Sequence, residues 1–306
     1  MKMKAIKQVA IVGMGALGLL HGNHIAENIG NDSVYFVADA NRVKRYAQTT
    51  FTINGEEKHF TVKAGEDATP VDLVIVATKY NHLPQALAVM AKCVDEETTI
   101  ISLINGISSE EIIGERFGTD KVLYTVAQGM DAVKDGGEFT YTHCGELRTG
   151  PVGDSQKARF VALIDFFDKA KIPYTIEEDI IRRMWSKFML NVGVNQTCMA
   201  YETTYGGCLR EGEACDVMQA AMQEAVKIAN AEGVDLNQED ADAYTALMST
   251  LDPEATPSMR QDGLQKRPTE VEMFAGKIIE LGKKHGITVP VNEMLYKKVK
   301  ELEAQY

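Results

Sequence analysis

Three groups of residues have the types and spacing to do chemistry. The apolar run Val9-Ala10-Ile11-Val12 breaks directly into Gly13-Met14-Gly15-Ala16-Leu17-Gly18, a G-x-G-x-x-G behind a β-type segment, which is the pattern of a dinucleotide phosphate cradle. Gly13 permits the tight turn out of the strand, Gly15 leaves bare backbone for a pyrophosphate, and Gly18 lets the next helix pack closely while its first amides face the phosphates. An ordinary turn is the competing reading, and the helical pattern of Leu17, Leu19, Leu20 and Ile25 argues against it. The second group is Lys187, Asn191 and Asn195, spaced i, i+4, i+8 and so forming one stripe about 12 Å long on a helix. Phe188, Met189, Leu190, Val192 and Val194 make the rest of that helix apolar. Asparagine is a poor helix former, so two in register beside a lysine read either as contacts to a polar ligand or as a buried hydrogen-bond network. The third group is Asp39 with Arg42, Lys44 and Arg45. An acidic residue about 20 positions beyond the glycine loop accepts from the ribose hydroxyls of NAD and repels the 2′-phosphate of NADP, whereas the cations that follow could bind that phosphate.

The elements that must hold these groups alternate through the first half of the chain. Strand-like segments near Val9–Val12, Val34–Ala38, Leu73–Ala77, Thr99–Leu103 and Val122–Val126 are separated by helical ones, which predicts a parallel sheet covered on both faces. Phe51–Gly55 followed by His59–Val62 reads as a hairpin about Asn54-Gly55. Glu138–Thr142 and Glu146–Thr149 read as antiparallel strands added at the sheet edge. After a helix at Gln156–Ala170 and a strand at Pro173–Ile176 the pattern becomes helical, with segments at Glu178–Met199, Cys208–Glu232, Gln238–Leu251 and Pro268–His285, and with Gly233 and Gly286 at helix ends. The fold class is therefore an α/β Rossmann-type doubly wound domain, residues 1–176, followed by an all-α domain, residues 177–306.

Composition narrows the partners. A chain of 306 residues exceeds the usual single domain and can bury about three-quarters of its unfolded surface. The net charge of −12 argues against nucleic acid or an anionic membrane as partner. No apolar run approaches the roughly 20 residues of a membrane span, and Met1-Lys2-Met3-Lys4 leads into the first strand without a signal-peptide pattern, so a cytoplasmic protein is expected. The five cysteines include no C-x-x-C pair and read as reduced, mostly buried residues rather than bridges or metal ligands. His21 and His24 share a helix face, but no third ligand stands near them, and no metal is expected. His82 reads as an exposed loop residue or a cofactor contact.

Together the motifs bring a resemblance. The chain resembles the ketopantoate reductase (2-dehydropantoate 2-reductase) family over essentially its whole length. The likeness rests on Gly13-Met14-Gly15-Ala16-Leu17-Gly18; Thr78-Lys79; Asn105-Gly106; Trp185-x-Lys187-x-x-x-Asn191-x-x-x-Asn195; and Ser258-Met259-x-Gln261-Asp262 leading through Arg267 to Thr269-Glu270. The resemblance implies a Rossmann domain followed by a helical domain, with catalysis in the cleft between them. It implies Lys187 as general acid to the ketone oxygen while hydride arrives from the nicotinamide, and Glu270 as the carboxylate that holds the substrate hydroxyl and the lysine. It further implies Asn105 between nicotinamide and substrate, Asn191, Asn195 and Ser258 as substrate contacts, and Lys79 near the cofactor. The reaction implied is reduction of 2-dehydropantoate to pantoate with NADPH, in pantothenate and coenzyme A synthesis. A D-2-hydroxyacid dehydrogenase acting on another branched 2-keto acid, with NADH, is the alternative, and a dinucleotide-sensing protein without turnover is a third. The family commonly carries an arginine where this chain has Asp39, so family membership favours NADPH and Asp39 favours NADH. The small-molecule keto acid is the expected partner, and a homodimer is the assembly considered.

Overall fold

The structure, a computed structural model, describes residues 3–306 apart from the side chain of Asp135. Met1 and Lys2, part of the amino-terminal reading above, lie outside the described residues. The chain divides into two compact units, one running through Ile180 and the other Ile181–Tyr306.

In the first unit, eight strands among the described residues form one sheet in the order Tyr174–Ile176, Cys144–Gly150, Val122–Met130, Thr99–Ser102, Leu73–Val76, Val9–Val12, Val34–Ala38, Val62–Ala64. The last six run parallel. Cys144–Gly150 joins Val122–Met130 antiparallel, and Tyr174–Ile176 runs parallel to Cys144–Gly150. Every residue of Val9–Val12, Leu73–Val76 and Thr99–Ser102 is buried, as expected of parallel strands covered on both faces. The chain first builds outward from Val9–Val12 to Val34–Ala38 and then returns to lay Leu73–Val76 on the other side. This reversal makes a switch point at the carboxyl ends of Val9–Val12 and Leu73–Val76, the place where doubly wound sheets take their ligands.

Two strand assignments differ from expectation. The hairpin turns at Asn54 (φ 49°) and Gly55 (φ 82°), as a type I′ turn requires, but its second arm is Glu56–Lys58. His59–Val62 is not that arm, because a two-residue turn leaves no slack before pairing begins; Val62–Ala64 instead pairs with Val34–Ala38 in the large sheet. Glu138–Thr140 does not edge the large sheet either. It joins a separate four-stranded sheet, parallel to Phe51–Ile53 and antiparallel to Val133–Asp135, which buries Phe139 with Phe51 and Ile53.

The second unit is helical. Ile180–Leu190 continues through a π turn, Asn191–Asn195, into Gln196–Ala200. Tyr205–Leu209, Glu213–Ala231, Gln238–Met248 and Ser258–Leu264 follow, then a second π turn, Glu272–Gly276, that runs into Lys277–His285, and finally Pro290–Glu303. The expected helix Cys208–Glu232 is split before Glu213 at Gly212, whose φ of 142° no helix accommodates. The expected Pro268–His285 begins only at Glu272. Gly233 (φ 84°) and Gly286 (φ 67°) stand just past helix ends. Glu213–Ala231 lies at the centre, with Met218, Ala221, Met222, Ala225, Ile228 and Ala229 buried at helical spacing.

Candidate active site

The glycine loop is shaped by its own backbone. Gly13 adopts φ 105°, and a Cβ there would lie 2.4 Å from the Ala77 carbonyl oxygen. A Cβ on Gly18 would lie 2.0 Å from the Gly13 carbonyl oxygen, so both positions exclude a side chain. Gly15 is different: it is exposed, and its nearest neighbour would be the Ala77 oxygen at 3.9 Å. It presents open backbone at the start of helix Ala16–Asn28, whose first turn carries Ala16 and Leu17. This arrangement suits a pyrophosphate.

A cavity beside the loop is lined by Gly13, Met14, Asp39, Arg42, Tyr46 and Thr78 among others. Asp39 caps helix Ala40–Tyr46: its Oδ1 accepts from the Asn41 and Arg42 backbone amides at 3.0 and 2.9 Å. The Arg42 guanidinium stands 3.5 Å from its Oδ2. Exposed His82 is held below its usual pKa by burial of part of its ring and by the charges of Arg42 and Lys79, so three basic groups converge at this end. The sequence reading missed Lys134. It reaches over from the small sheet to donate to the Met14 carbonyl at 2.8 Å, and burial together with the nearby Arg45 lowers its pKa. Strand Val133–Asp135 carries no chemical motif, so only the pairing of the small sheet brings this lysine to the loop.

Asn105 follows strand Thr99–Ser102 and is partly exposed. Its segment is anchored from below: Ser102 Oγ accepts from the Ile104 amide (3.3 Å) and meets Ser109 Oγ (2.9 Å), which donates to Glu110 Oε2 (2.8 Å). Glu110 is buried, and burial raises its pKa to about 7.

In the second unit, Lys187 stands near the end of Ile180–Leu190, with Asn191 and Asn195 buried at the two ends of the π turn that follows. A π turn holds more residues per turn than an α turn, so the α-helical spacing expected of this stripe changes over Asn191–Asn195. Burial around the Lys187 ammonium lowers its pKa to about 8, opposed by the negative charge of Glu270 and assisted by Arg183. Lysine and glutamate 83 positions apart in sequence are thus brought within electrostatic reach. Buried Glu270 sits between two clamps. Asp262, 1 % exposed, takes the Arg267 guanidinium at 2.9 and 2.7 Å, and Glu303 Oε1 accepts from both the amide and hydroxyl of Thr269 at 2.7 Å. Ser258 is exposed as the first residue of its helix, with Pro257 in the cap position, and that helix packs on the Asn191–Asn195 turn. Among the described residues no three potential ligands gather to hold a metal, and His24 Nε2 instead meets the Lys171 carbonyl at 2.7 Å.

Two sequence profiles match this chain: ketopantoate reductase PanE/ApbA over residues 9–154 and ketopantoate reductase PanE/ApbA C terminal over 179–303. The chain belongs to the ketopantoate reductase family. It is accordingly an NAD(P)-dependent oxidoreductase. It is 26 % identical to the 2-dehydropantoate 2-reductase of Streptococcus pyogenes serotype M3, over 97 % of this chain and 98 % of the relative, and 25 % identical to that of Vibrio cholerae over the same shares. Its fold is similar to a PanE/ApbA family ketopantoate reductase from Ralstonia eutropha (TM-score 0.83, 24 % identity, 97 % and 99 % of the two chains). It is equally similar to D-mandelate dehydrogenase solved with NADH (TM-score 0.87, 23 % identity, 97 % and 99 %). A dimeric ketopantoate reductase from Staphylococcus aureus shares the fold as well (TM-score 0.79, 21 % identity, 97 % and 99 %). No helix among the described residues is long and apolar enough to cross a membrane.

Proposed function

We propose that this protein reduces 2-dehydropantoate to pantoate with NADPH, as a cytoplasmic and homodimeric enzyme of pantothenate synthesis. The observation that carries the reading is the desolvated Lys187 ammonium, on a helix with Asn191 and Asn195 and under the influence of Glu270. A ketone oxygen that gains negative charge is best met by a fixed ammonium in a low-dielectric surrounding. Lys187 gives up its proton there, and Glu270 orients the ammonium and accepts from a substrate hydroxyl. Asn191, Asn195 and Ser258 donate to the remaining substrate oxygens, and Asn105 lies beside the nicotinamide. Gly13 to Gly18, Asp39, Arg42, Lys79 and Lys134 hold the dinucleotide, which when bound supplies a hydride. The convergence of Arg42, Lys79 and His82 supports a 2′-phosphate at the adenosine end.

A second reading has a specific observation in its favour. Asp39 keeps Oδ2 outside its capping bonds, where it suits a ribose 2′-hydroxyl, and the similar D-mandelate dehydrogenase was solved with NADH. On that reading the chain is a D-2-hydroxyacid dehydrogenase for another branched 2-keto acid. Absorbance at 340 nm, with each of NADPH and NADH against ketopantoate, 2-ketoisovalerate and phenylglyoxylate, separates the two. Turnover of ketopantoate in preference to the other acids supports the first, and turnover confined to the others overturns it. Dinucleotide binding with no turnover of any of them overturns both in favour of a sensor.

A further inference from the structure

The two π turns of the helical unit each break the regular backbone ladder once, and one side chain serves both breaks. In the second turn, Phe274 N–H donates to Glu270 O, four residues back, whereas Gly276 N–H donates to Val271 O, five back. The register slips at Ala275. Its N–H leaves the helix and donates to Gln196 Oε1 at 2.8 Å. In the first turn, the backbone N–H of Gln196, which an α-helix would direct to Val192 O, goes to Gly193 O. The Gln196 side chain takes over: Nε2 donates to Val192 O at 2.8 Å and to Asn292 Oδ1 at 3.1 Å. Asn292 is fixed in turn, its Nδ2 donating to Glu224 Oε2 at 2.8 Å while the Glu224 carboxylate accepts from the Val291 and Asn292 amides, both at 2.9 Å. Gln196 and Asn292 are fully buried. The carboxamide therefore has one orientation, acceptor toward one turn and donor toward the other.

We propose that Gln196 is a positioning residue, whose single carboxamide clasps the turn bearing Asn191 and Asn195 to the turn that follows Glu270 and so sets where Glu270 stands relative to Lys187. An apolar replacement leaves Val192 O, Ala275 N and Asn292 Oδ1 buried without that partner, and each unpaired group favours a relaxed turn. Displacements of about 1 Å in a reacting assembly can cost on the order of 100-fold, so a small relaxation of either turn is felt at Lys187. The inference rests on the proposed roles of Lys187 and Glu270.

The test compares Gln196→Met with Gln196→Glu and with Asn230→Met. Asn230, an exposed residue, also ties backbone through its carboxamide, to Val226 O and Leu236 O at 2.9 and 2.8 Å, away from both π turns. Gln196→Met is expected to lower kcat roughly 10- to 100-fold with unchanged KM for the dinucleotide. The alkaline limb of its rate profile should move to lower pH, because Lys187 loses the support of Glu270 and keeps the opposition of Arg183. Asn230→Met should lower Tm with kcat and the limb unchanged. Gln196→Glu can donate to Val192 O only when protonated, so its activity relative to wild type should recover as pH falls. A folded Gln196→Met with wild-type kcat and limb overturns the proposal, as does an Asn230→Met that matches its kinetic loss or a Gln196→Glu ratio that is flat with pH. If neither Gln196 variant folds, hydrogen exchange on the wild-type protein decides: a slowly exchanging Ala275 amide supports the clasp, and one that exchanges like an exposed loop amide overturns it. A Lys187→Ala variant with full kcat instead sinks the functional reading itself.

Discussion

The glycine loop of the first unit and the paired π turns of the second solve the same problem in opposite ways. The loop uses backbone. Its conformation is forced by contacts within a few residues of a strand end, where Gly13 faces Ala77 and Gly18 faces Gly13, and it presents open backbone rather than side chains at Gly15. The π turns use side chains carried on distorted helices. Their distortion is held by hydrogen bonds between residues 79 and 96 positions apart. A site of the first kind is brittle at its glycines and meets distant residues chiefly through its main chain, as where Gly13 faces Ala77 and the Met14 carbonyl accepts from Lys134; a site of the second kind depends on distant side chains such as Glu224, Asn292 and Glu303.

The sharpest way to break this comparison is at Lys187. Lys187→Ala is expected to lower kcat by roughly 10²- to 10⁴-fold, the usual worth of a positioned acid, with dinucleotide affinity unchanged by fluorescence titration. A parallel loss of dinucleotide affinity would mean that the two regions are not functionally separate.

Next come the glycines. Gly13→Ala and Gly18→Ala drive a methyl into backbone oxygens at 2.4 and 2.0 Å, and should cost about 1–3 kcal/mol of stability together with most dinucleotide binding. Gly15→Ala meets nothing closer than 3.9 Å. It should keep the wild-type Tm and weaken the dinucleotide alone. Equal Tm losses at Gly13 and Gly15 would contradict a loop shaped by its own backbone.

The pH profile sharpens the other side. Lys187 donates only when protonated and its pKa is lowered to about 8, so kcat/KM should fall as pH rises through that value. Glu270→Gln removes the charge that raises this pKa, and the limb should move to lower pH. A limb left unchanged by Glu270→Gln would remove Glu270 from the electrostatics of the lysine.

The smallest effects are expected at the adenosine end. Asp39→Ala should raise the NADPH over NADH ratio of kcat/KM. Arg42→Ala should cost NADPH about 1.5 kcal/mol, the low end for a charged hydrogen bond because its side chain is 39 % exposed, and leave NADH unaffected. Unchanged ratios in both variants would mean that the adenosine lies elsewhere.

This contrast also explains what the sequence made legible. The parallel sheet and the glycine loop are local: strands of four or five apolar residues and a motif of six carry them, whereas the switch point emerges only with the strand order. Lys187, Asn191 and Asn195 were visible as a stripe, but their π turn was not, because the slip in register answers to Gln196 and Ala275 rather than to neighbouring residues. The hairpin has the turn that Asn54-Gly55 specifies but not the arm expected from sequence, since Phe60 and Val62 have strand character and only the two-residue turn geometry selects Glu56–Lys58. Lys134 stayed hidden for a related reason: a lysine on a short strand is ordinary until sheet pairing lays it on Met14.

The capping bonds of Asp39 carry a consequence for protein engineering. One carboxylate oxygen holds the start of helix Ala40–Tyr46, and asparagine or serine would serve that helix nearly as well while removing the charge. If Asp39 meets the adenosine ribose as proposed, an uncharged capping residue should shift coenzyme selectivity without loosening the fold around it, a route closed to apolar replacements, which would trade selectivity against local order.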